Sequence, residues 1–204
     1  EAGKGLSSGN QNTILGAFAG SNLTTGGDNV FLGTRAGRQV DGGSCNTFIG
    51  FEAGRYASNS SNNIGLGRCA GRRVTSGSLN IAIGVAALGT GTVTGDKNVA
   101  IGNCAGRNLT AGGHNVSIGS YAGKELVTGG YNILIGQCAG HSDGSTKDSS
   151  ANIFIGGAAG LCIDTACHNI GLGEAAGRAL TSGDCNTLLG HRAGCLLTTG
   201  SNNV

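Results

Sequence analysis

The chain has 204 residues, 42 of them Gly and none of them Pro, Met or Trp, with 4% aromatic residues and a net charge of +2. So few aromatic side chains argue against an ordinary compact core, while 38% hydrophobic and 12% charged residues argue against disorder. The small net charge is atypical of nucleic-acid binding, and aliphatic runs such as 153–155 are too short to span a membrane.

One Asn recurs along the chain and defines a tandem repeat. Its spacing is 17 residues nine times, 18 once and 20 once, and with this Asn as position 1 most units read N-[VIT]-x-[IL]-G-x-x-A-G-x-x-[LV]-x-x-G-x-x. Residues 1–204 are therefore predicted to form a single continuous repeat array, which we expect to be a segment of a longer chain. The predicted coils are anchored at Asn12, Asn29, Asn46, Asn63, Asn80, Asn98, Asn115, Asn132, Asn152, Asn169, Asn186 and Asn203.

Each unit predicts the same elements in order along the chain. Positions 1 to 5 alternate and are β-branched, which predicts a short strand, at 12–16 in the first full unit. Glycines at positions 5 and 9 predict turns, and the aliphatic residue at position 12 predicts a second short strand. Because one coil cannot bury its own apolar face, the repeat predicts an all-β parallel β-solenoid (β-roll) of about twelve 17-residue coils, with no globular domain.

The alternation of a strand assigns each column of side chains to one side of the coil. Positions 2 and 4 are predicted to face the axis, together with the alanine at position 8 and the aliphatic residue at position 12. Position 3 is then predicted to face outward, as an apolar strip for self-association. The large members of this strip are Ile14, Phe31, Phe48, Leu134, Phe154 and Leu188. The alternative is a coil twisted enough to bury position 3.

Two polar columns carry further expectations. The Asn at position 1 is expected either to form a ladder of stacked amides or to act as a turn residue. Position 10 is often basic, and this column is expected to be solvated or neutralised by the acidic or glycan surface of a partner. Candidate N-glycosylation sites are Asn22, Asn59 and Asn108, whereas a fourth sequon places Asn115 in the Asn column, where we expect it to be inaccessible.

The eight cysteines and the titratable residues form few patterns. Cys167 and Cys185 lie near position 17 in adjacent units, so they are the candidate intrachain disulfide. Cys167, His168 and Cys185 are a weaker candidate for a metal cluster, but no Cys/His set has the close spacing of a structural zinc site, and we predict no metal or cofactor. Acidic residues and histidines occupy different columns without a recurring pair, so no catalytic site is predicted and the chain is not expected to be an enzyme.

Residues 98–106, with the sequence NVAIGNCAG, carry a resemblance to known repeat proteins. This string resembles the β-roll head repeats of trimeric autotransporter adhesins, and it is similar to the N-x-x-I-G-x-x-A-G arrays of phage tail-fibre and bacterial surface proteins. The adhesin resemblance implies a left-handed parallel β-roll, three chains joined through apolar faces, and attachment to a host or matrix surface.

These observations predict an extracellular structural or adhesive fibre or filament segment, located on a cell or virion surface. Its expected partners are copies of itself, as a trimer or filament, and a surface glycan or host-surface ligand, with no nucleic acid and no membrane span. The alternative is a ligand-binding solenoid for polysaccharide or ice. Ice binding calls for a regular Thr array, which the corner column lacks, since it reads Thr25, Gly42, Asn59, Ser76, Thr94, Ala111 and Thr128.

Overall fold

The computed structural model describes residues 1–141 and 148–204, and these residues form an all-β solenoid of about 10 turns of ~17 residues. Eleven strands pair in parallel, each with the next along the chain, in one sheet ordered β1 to β11. The predicted fold class is therefore confirmed, with eleven strand-bearing coils in place of the twelve expected. The strands are β1 Thr13–Leu15, β2 Val30–Leu32, β3 Thr47–Ile49, β4 Ile64–Leu66, β5 Ile81–Ile83, β6 Val99–Ile101, β7 Val116–Ile118, β8 Ile133–Ile135, β9 Ile153–Ile155, β10 Ile170–Leu172 and β11 Thr187–Leu189.

The second strand expected at position 12 does not form in the described residues, apart from single-residue bridges at Val74, which pairs with Val93, and at Leu126. The amide of position 12 is used elsewhere, since Leu109 N–H donates to the carbonyl of Gly106, three residues earlier, at 3.1 Å. Position 12 therefore closes a tight turn. The turns still join successive coils, as when the Gly106 amide donates to the Ala122 carbonyl at 2.9 Å. No helix long and apolar enough to cross a membrane occurs in the described part of the chain.

The Asn column forms a buried hydrogen-bonded ladder. The side-chain nitrogen of Asn115 donates to Asn98 Oδ1 at 3.1 Å and to the carbonyl of Gly129 at 2.9 Å. The backbone amide of Asn115 also donates to Asn98 Oδ1, at 3.0 Å. From Asn29 to Asn186 these side chains are at most 1% exposed. The ladder interpretation is confirmed, and each amide fixes the register between its own coil and the previous one.

The central residue of each strand points into the solenoid, so the predicted assignment of faces is wrong. Phe31, Phe48 and Phe154 are 0% exposed, and Leu134 and Leu188 are 2% and 7% exposed. Ile14 packs against the same core from the first strand. The expected self-association strip is therefore the core itself, as the alternative interpretation had it. Alanines of position 8 and aliphatic residues of position 12 line this core as predicted, among them Ala105 at 0% and Leu109 at 2% exposure.

The core column varies in size because adjacent coils share one volume. The rings of Phe31 and Phe48 stack with centroids 5.7 Å apart, and the next coil carries Gly65 at position 3. A Cβ on Gly65 would lie 2.8 Å from Phe48 Cδ1, so the ring occupies space that a larger residue would need. Gly171 follows Phe154 in the same way. A glycine therefore follows Phe48 and Phe154, and this keeps the interior close-packed.

The glycine at position 9 serves both the turn and the core. These glycines adopt φ between +51° and +61°, a conformation that costs other residues more. A Cβ on Gly54 would also lie 2.2 Å from the ring of Phe48. One coil has Leu88 at this position with φ of +46°, and the position 3 residue of that coil is Ala82. Leu88 is 0% exposed, so it fills the space that a larger position 3 residue occupies in other coils.

Candidate functional surfaces

The outward side chains of the sheet form an apolar surface, which we call the outer strip. It comprises positions 2 and 4 of every strand, and all 22 side chains are Ile, Leu, Val or Thr. Within the array Ile49, Ile64, Ile155 and Leu172 are 37–39% exposed. The members are Thr13, Leu15, Val30, Leu32, Thr47, Ile49, Ile64, Leu66, Ile81, Ile83, Val99, Ile101, Val116, Ile118, Ile133, Ile135, Ile153, Ile155, Ile170, Leu172, Thr187 and Leu189.

The outer strip is bordered by two columns in which the backbone is closely approached. On one side lies the buried Asn ladder, and on the other lies the position 5 glycine column, with φ between +122° and +140°. A Cβ on Gly33 would lie 2.7 Å from the carbonyl oxygen of Gly50 in the next coil, so no larger residue fits there. In addition, no charged side chain occurs at positions 1 to 5 of any strand-bearing coil. The sequence did contain a signal for this surface, because both columns are restricted to β-formers of similar size.

The position 10 column is neutralised in part by one buried carboxylate, that of Glu52, whose side chain is 7% exposed. Arg55 Nη1 and Arg35 Nη1 lie 2.6 Å and 3.1 Å from Glu52 Oε1, and Arg72 Nη2 lies 3.1 Å from Oε2. The guanidinium of Arg38 instead lies over the ring of Phe18, 5.6 Å from its centroid. Sequence analysis missed Glu52, although its spacing of three residues from Arg55 was visible. An internal carboxylate therefore holds these arginines in place.

A second polar cluster surrounds Glu125. Asn108 Nδ2 donates to Glu125 Oε2 at 2.5 Å, and Lys124 Nζ lies 3.0 Å from Oε1. Burial alone raises the pKa of Glu125, but hydrogen bonds from Lys124 and Asn108 and the charges of Lys124 and His141 lower it overall, below its ordinary value of 4.5. The carboxylate is therefore ionised at neutral pH, and it links two adjacent coils through Asn108.

The sequon asparagines occupy different environments. Asn22 and Asn59 are exposed, Asn108 is half-buried and bound to Glu125, and Asn115 is 1% exposed in the ladder. The expected inaccessibility of Asn115 agrees with its burial. Glycosylation of Asn22, Asn59 and Asn108 stays a prediction, and at Asn108 the acceptor nitrogen would first have to release the Glu125 carboxylate.

All eight cysteines are free thiols in the structure. Cys167 and Cys185 do lie in adjacent coils, where the Cys185 amide donates to the Cys167 carbonyl at 3.2 Å. The two residues are therefore neighbours in the structure, in which no disulfide joins them, and the disulfide stays a prediction. Residues 1–141 and 148–204 contain no group of three or more His, Cys, Asp or Glu side chains placed to hold a metal ion, so Cys167, His168 and Cys185 do not form such a set.

The described surface thus offers one long apolar strip and one arginine-rich cluster. Both lie along the length of the solenoid. Comparison with known proteins adds no family assignment, since no family model, curated protein or solved structure matches this chain.

Proposed function

We propose that this chain is a structural or adhesive segment of an extracellular fibre or filament, which self-associates through the outer strip. One observation carries the proposal, namely the 22 uncharged aliphatic or Thr side chains on one sheet face. Exposed apolar surfaces of this continuity are typical of interaction sites. The likeness of residues 98–106 to adhesin head repeats is consistent with the same role, and copies of the chain are the partner that the proposal names.

The size of the outer strip supports a second copy as its partner. Eleven strands at a spacing of ~4.8 Å give a length of roughly 50 Å, and three residues per strand give a width of about 10 Å. Pairing two such faces would bury about 1,000 Å² in total, which reaches the lower bound for a specific interface. Two flat sheets can pack face to face at ~10 Å, so their aliphatic columns would interdigitate.

The geometry of pairing between two strips determines which assembly forms. A two-fold arrangement of the same strip on both copies closes as a dimer, whereas a staggered, non-closing arrangement extends as a filament. Three strips around one axis would give the trimer that the adhesin resemblance implies. Each of these assemblies uses the same residues, so one set of variants tests them together.

The test places charge in the middle of the strip. We expect the wild-type chain to sediment as an oligomer or filament in analytical ultracentrifugation, and the double variant Ile101→Lys, Ile118→Lys to sediment as a monomer. Ala111→Lys adds a charge at an exposed corner outside the strip and should assemble like the wild type. Far-UV circular dichroism checks that all three chains are folded. A monomeric wild type at micromolar concentration, or assembly of the double variant, would refute the proposal.

A further inference from the structure

The charge of this chain is concentrated in one part of the solenoid. Residues 35–73 contain six arginines and two acidic residues, and therefore carry a net charge of +4, whereas the rest of the chain carries −2. Position 10 supplies Arg38, Arg55 and Arg72 in three successive coils. Because successive coils are separated by ~4.8 Å, these cations form a row along the rod.

The arginines around Glu52 have more hydrogen-bond donors than acceptors. One carboxylate, Glu52, accepts hydrogen bonds from Arg35 and Arg55 and forms an ion pair with Arg72. The Nε atoms of the same three arginines are buried without a hydrogen-bond partner in the described residues. A guanidinium carries five N–H donors, so a single glutamate leaves most of this capacity unused. The cluster is short of anionic acceptors.

A shallow open groove adjoins the cluster. It is lined by Gln39, Tyr56, Ser58, Arg72, Arg73 and Thr75. Arg73 is exposed and makes no ion pair with any described residue. The centroid of the Tyr56 ring lies 4.7 Å from the guanidinium carbon of Arg55 and 5.3 Å from that of Arg72, so both cations pack over this ring. Arg72 and Arg73 therefore present cationic N–H groups to a ligand in the groove.

The remaining groove residues offer neutral polar contacts. The hydroxyl of Ser58 donates to the Thr75 carbonyl at 3.1 Å, and the hydroxyl of Thr75 donates to the Val93 carbonyl at 3.5 Å. Both hydroxyl oxygens thus remain available as acceptors, and the exposed amide of Gln39 can both donate and accept. Acceptors beside cations suit a ligand that carries hydroxyl groups as well as negative charge.

We propose that this groove binds an acidic polysaccharide, with its sulfate or carboxylate groups on Arg72 and Arg73 and its hydroxyls on Gln39, Ser58 and Thr75. Arginine forks bind planar oxyanions through paired hydrogen bonds. Single-stranded nucleic acid is disfavoured, because it needs open aromatic faces for base stacking, and the Tyr56 ring is covered by two guanidinium groups. The site is independent of the outer strip, so it does not require self-association.

The experiment measures binding of immobilised chain to heparin and to polygalacturonate, with neutral dextran as the uncharged control. The Arg72→Gln, Arg73→Gln variant is expected to bind at least about tenfold more weakly, since charged hydrogen bonds are among the strongest polar contacts. Arg178→Gln is the matched control, because Arg178 is an exposed position 10 arginine seven coils away from Arg55. It should bind like the wild type.

Two further arms keep the test decisive. Arg73→Gln alone removes no ion pair with a described residue, so its weaker binding supports the proposal even if the double variant is misfolded. Duplex DNA and poly-glutamate distinguish polysaccharide recognition from attraction to any polyanion. Equal affinity for these polymers, equal loss in Arg178→Gln, unchanged binding of the Arg73→Gln variant, or no binding of either acidic polysaccharide at low salt would overturn the proposal.

Discussion

The packing of Gly54 against Phe48 allows a sharp test of how the core is built. Gly54 and Gly71 both occupy position 9, and their φ angles are +57° and +56°. A Cβ on Gly54 would lie 2.2 Å from Phe48 Cδ2, whereas a Cβ on Gly71 would meet nothing closer than Val74 Cγ2 at 3.5 Å. The two glycines therefore share one backbone conformation and differ in the space around them.

We expect Gly71→Ala to lower the free energy of unfolding by about 1–2 kcal/mol, the cost of a left-handed conformation for a residue with a Cβ. Gly54→Ala pays the same cost and also overpacks the core, which adds about 1–3 kcal/mol. The difference between the two variants thus isolates the steric term. Leu88, with φ of +46°, shows that a side chain is tolerated at position 9 where position 3 is an alanine.

Urea unfolding followed by far-UV circular dichroism would measure both variants against the wild type. Adding Phe48→Ala to each completes a double-mutant cycle, in which removal of the ring should reduce the penalty at Gly54 to that at Gly71. If Gly54→Ala and Gly71→Ala cost the same within about 0.5 kcal/mol, then Phe48 does not occupy the coil interior as described, and the assignment of position 3 to the core is wrong.

Two further predictions concern polar groups. Asn115→Ala should lower the free energy of unfolding in urea by about 3 kcal/mol or more, because it leaves several buried ladder groups unpaired at ~1–3 kcal/mol each. The control variant Asn103→Ala, at an exposed residue, should leave the free energy of unfolding nearly unchanged. An equally small effect of Asn115→Ala would contradict the ladder's role in stability. Since the folded pKa of Glu125 lies below 4.5, its stabilisation is complete above that pH and is lost as pH falls through the folded value. Glu125→Gln should therefore reduce the fall in stability on the acid side of pH 4.5 in a pH series of unfolding measurements, and an unchanged series would refute this assignment.

Much of the architecture could be predicted because it follows from the repeat itself. A coil of 17 residues places equivalent residues above one another, so the Asn column predicted the ladder, and alanine and aliphatic columns predicted part of the core. The prediction for position 12 was right about burial and wrong about secondary structure. The reason is local, since the amide of Leu109 closes a turn with Gly106, and an amide used in that way cannot join a ladder.

The candidate surfaces were harder to predict, because the two faces of a three-residue strand resemble each other in composition. Uniform columns at positions 2 and 4 were interpreted as core, and the uneven column at position 3 was interpreted as surface. In the structure position 3 forms the core and positions 2 and 4 form the surface. The core column can vary in size because adjacent coils share one interior, so the ring of Phe48 fills the space beside Gly65 in the neighbouring coil. Glu52 was missed for a similar reason, since its three arginine partners come from three different coils.

The sequence alone determined the period, the register and the parallel β-solenoid, because these depend on spacing, which is written directly in the chain. Only the tertiary structure decided which face of each strand points inward, since that choice depends on how turns at positions 5 and 9 direct the coil and how neighbouring coils share volume. The functional surfaces depend on that choice. The turns beside a column of side chains determine whether that column is buried or exposed, and the composition of the column alone does not determine this.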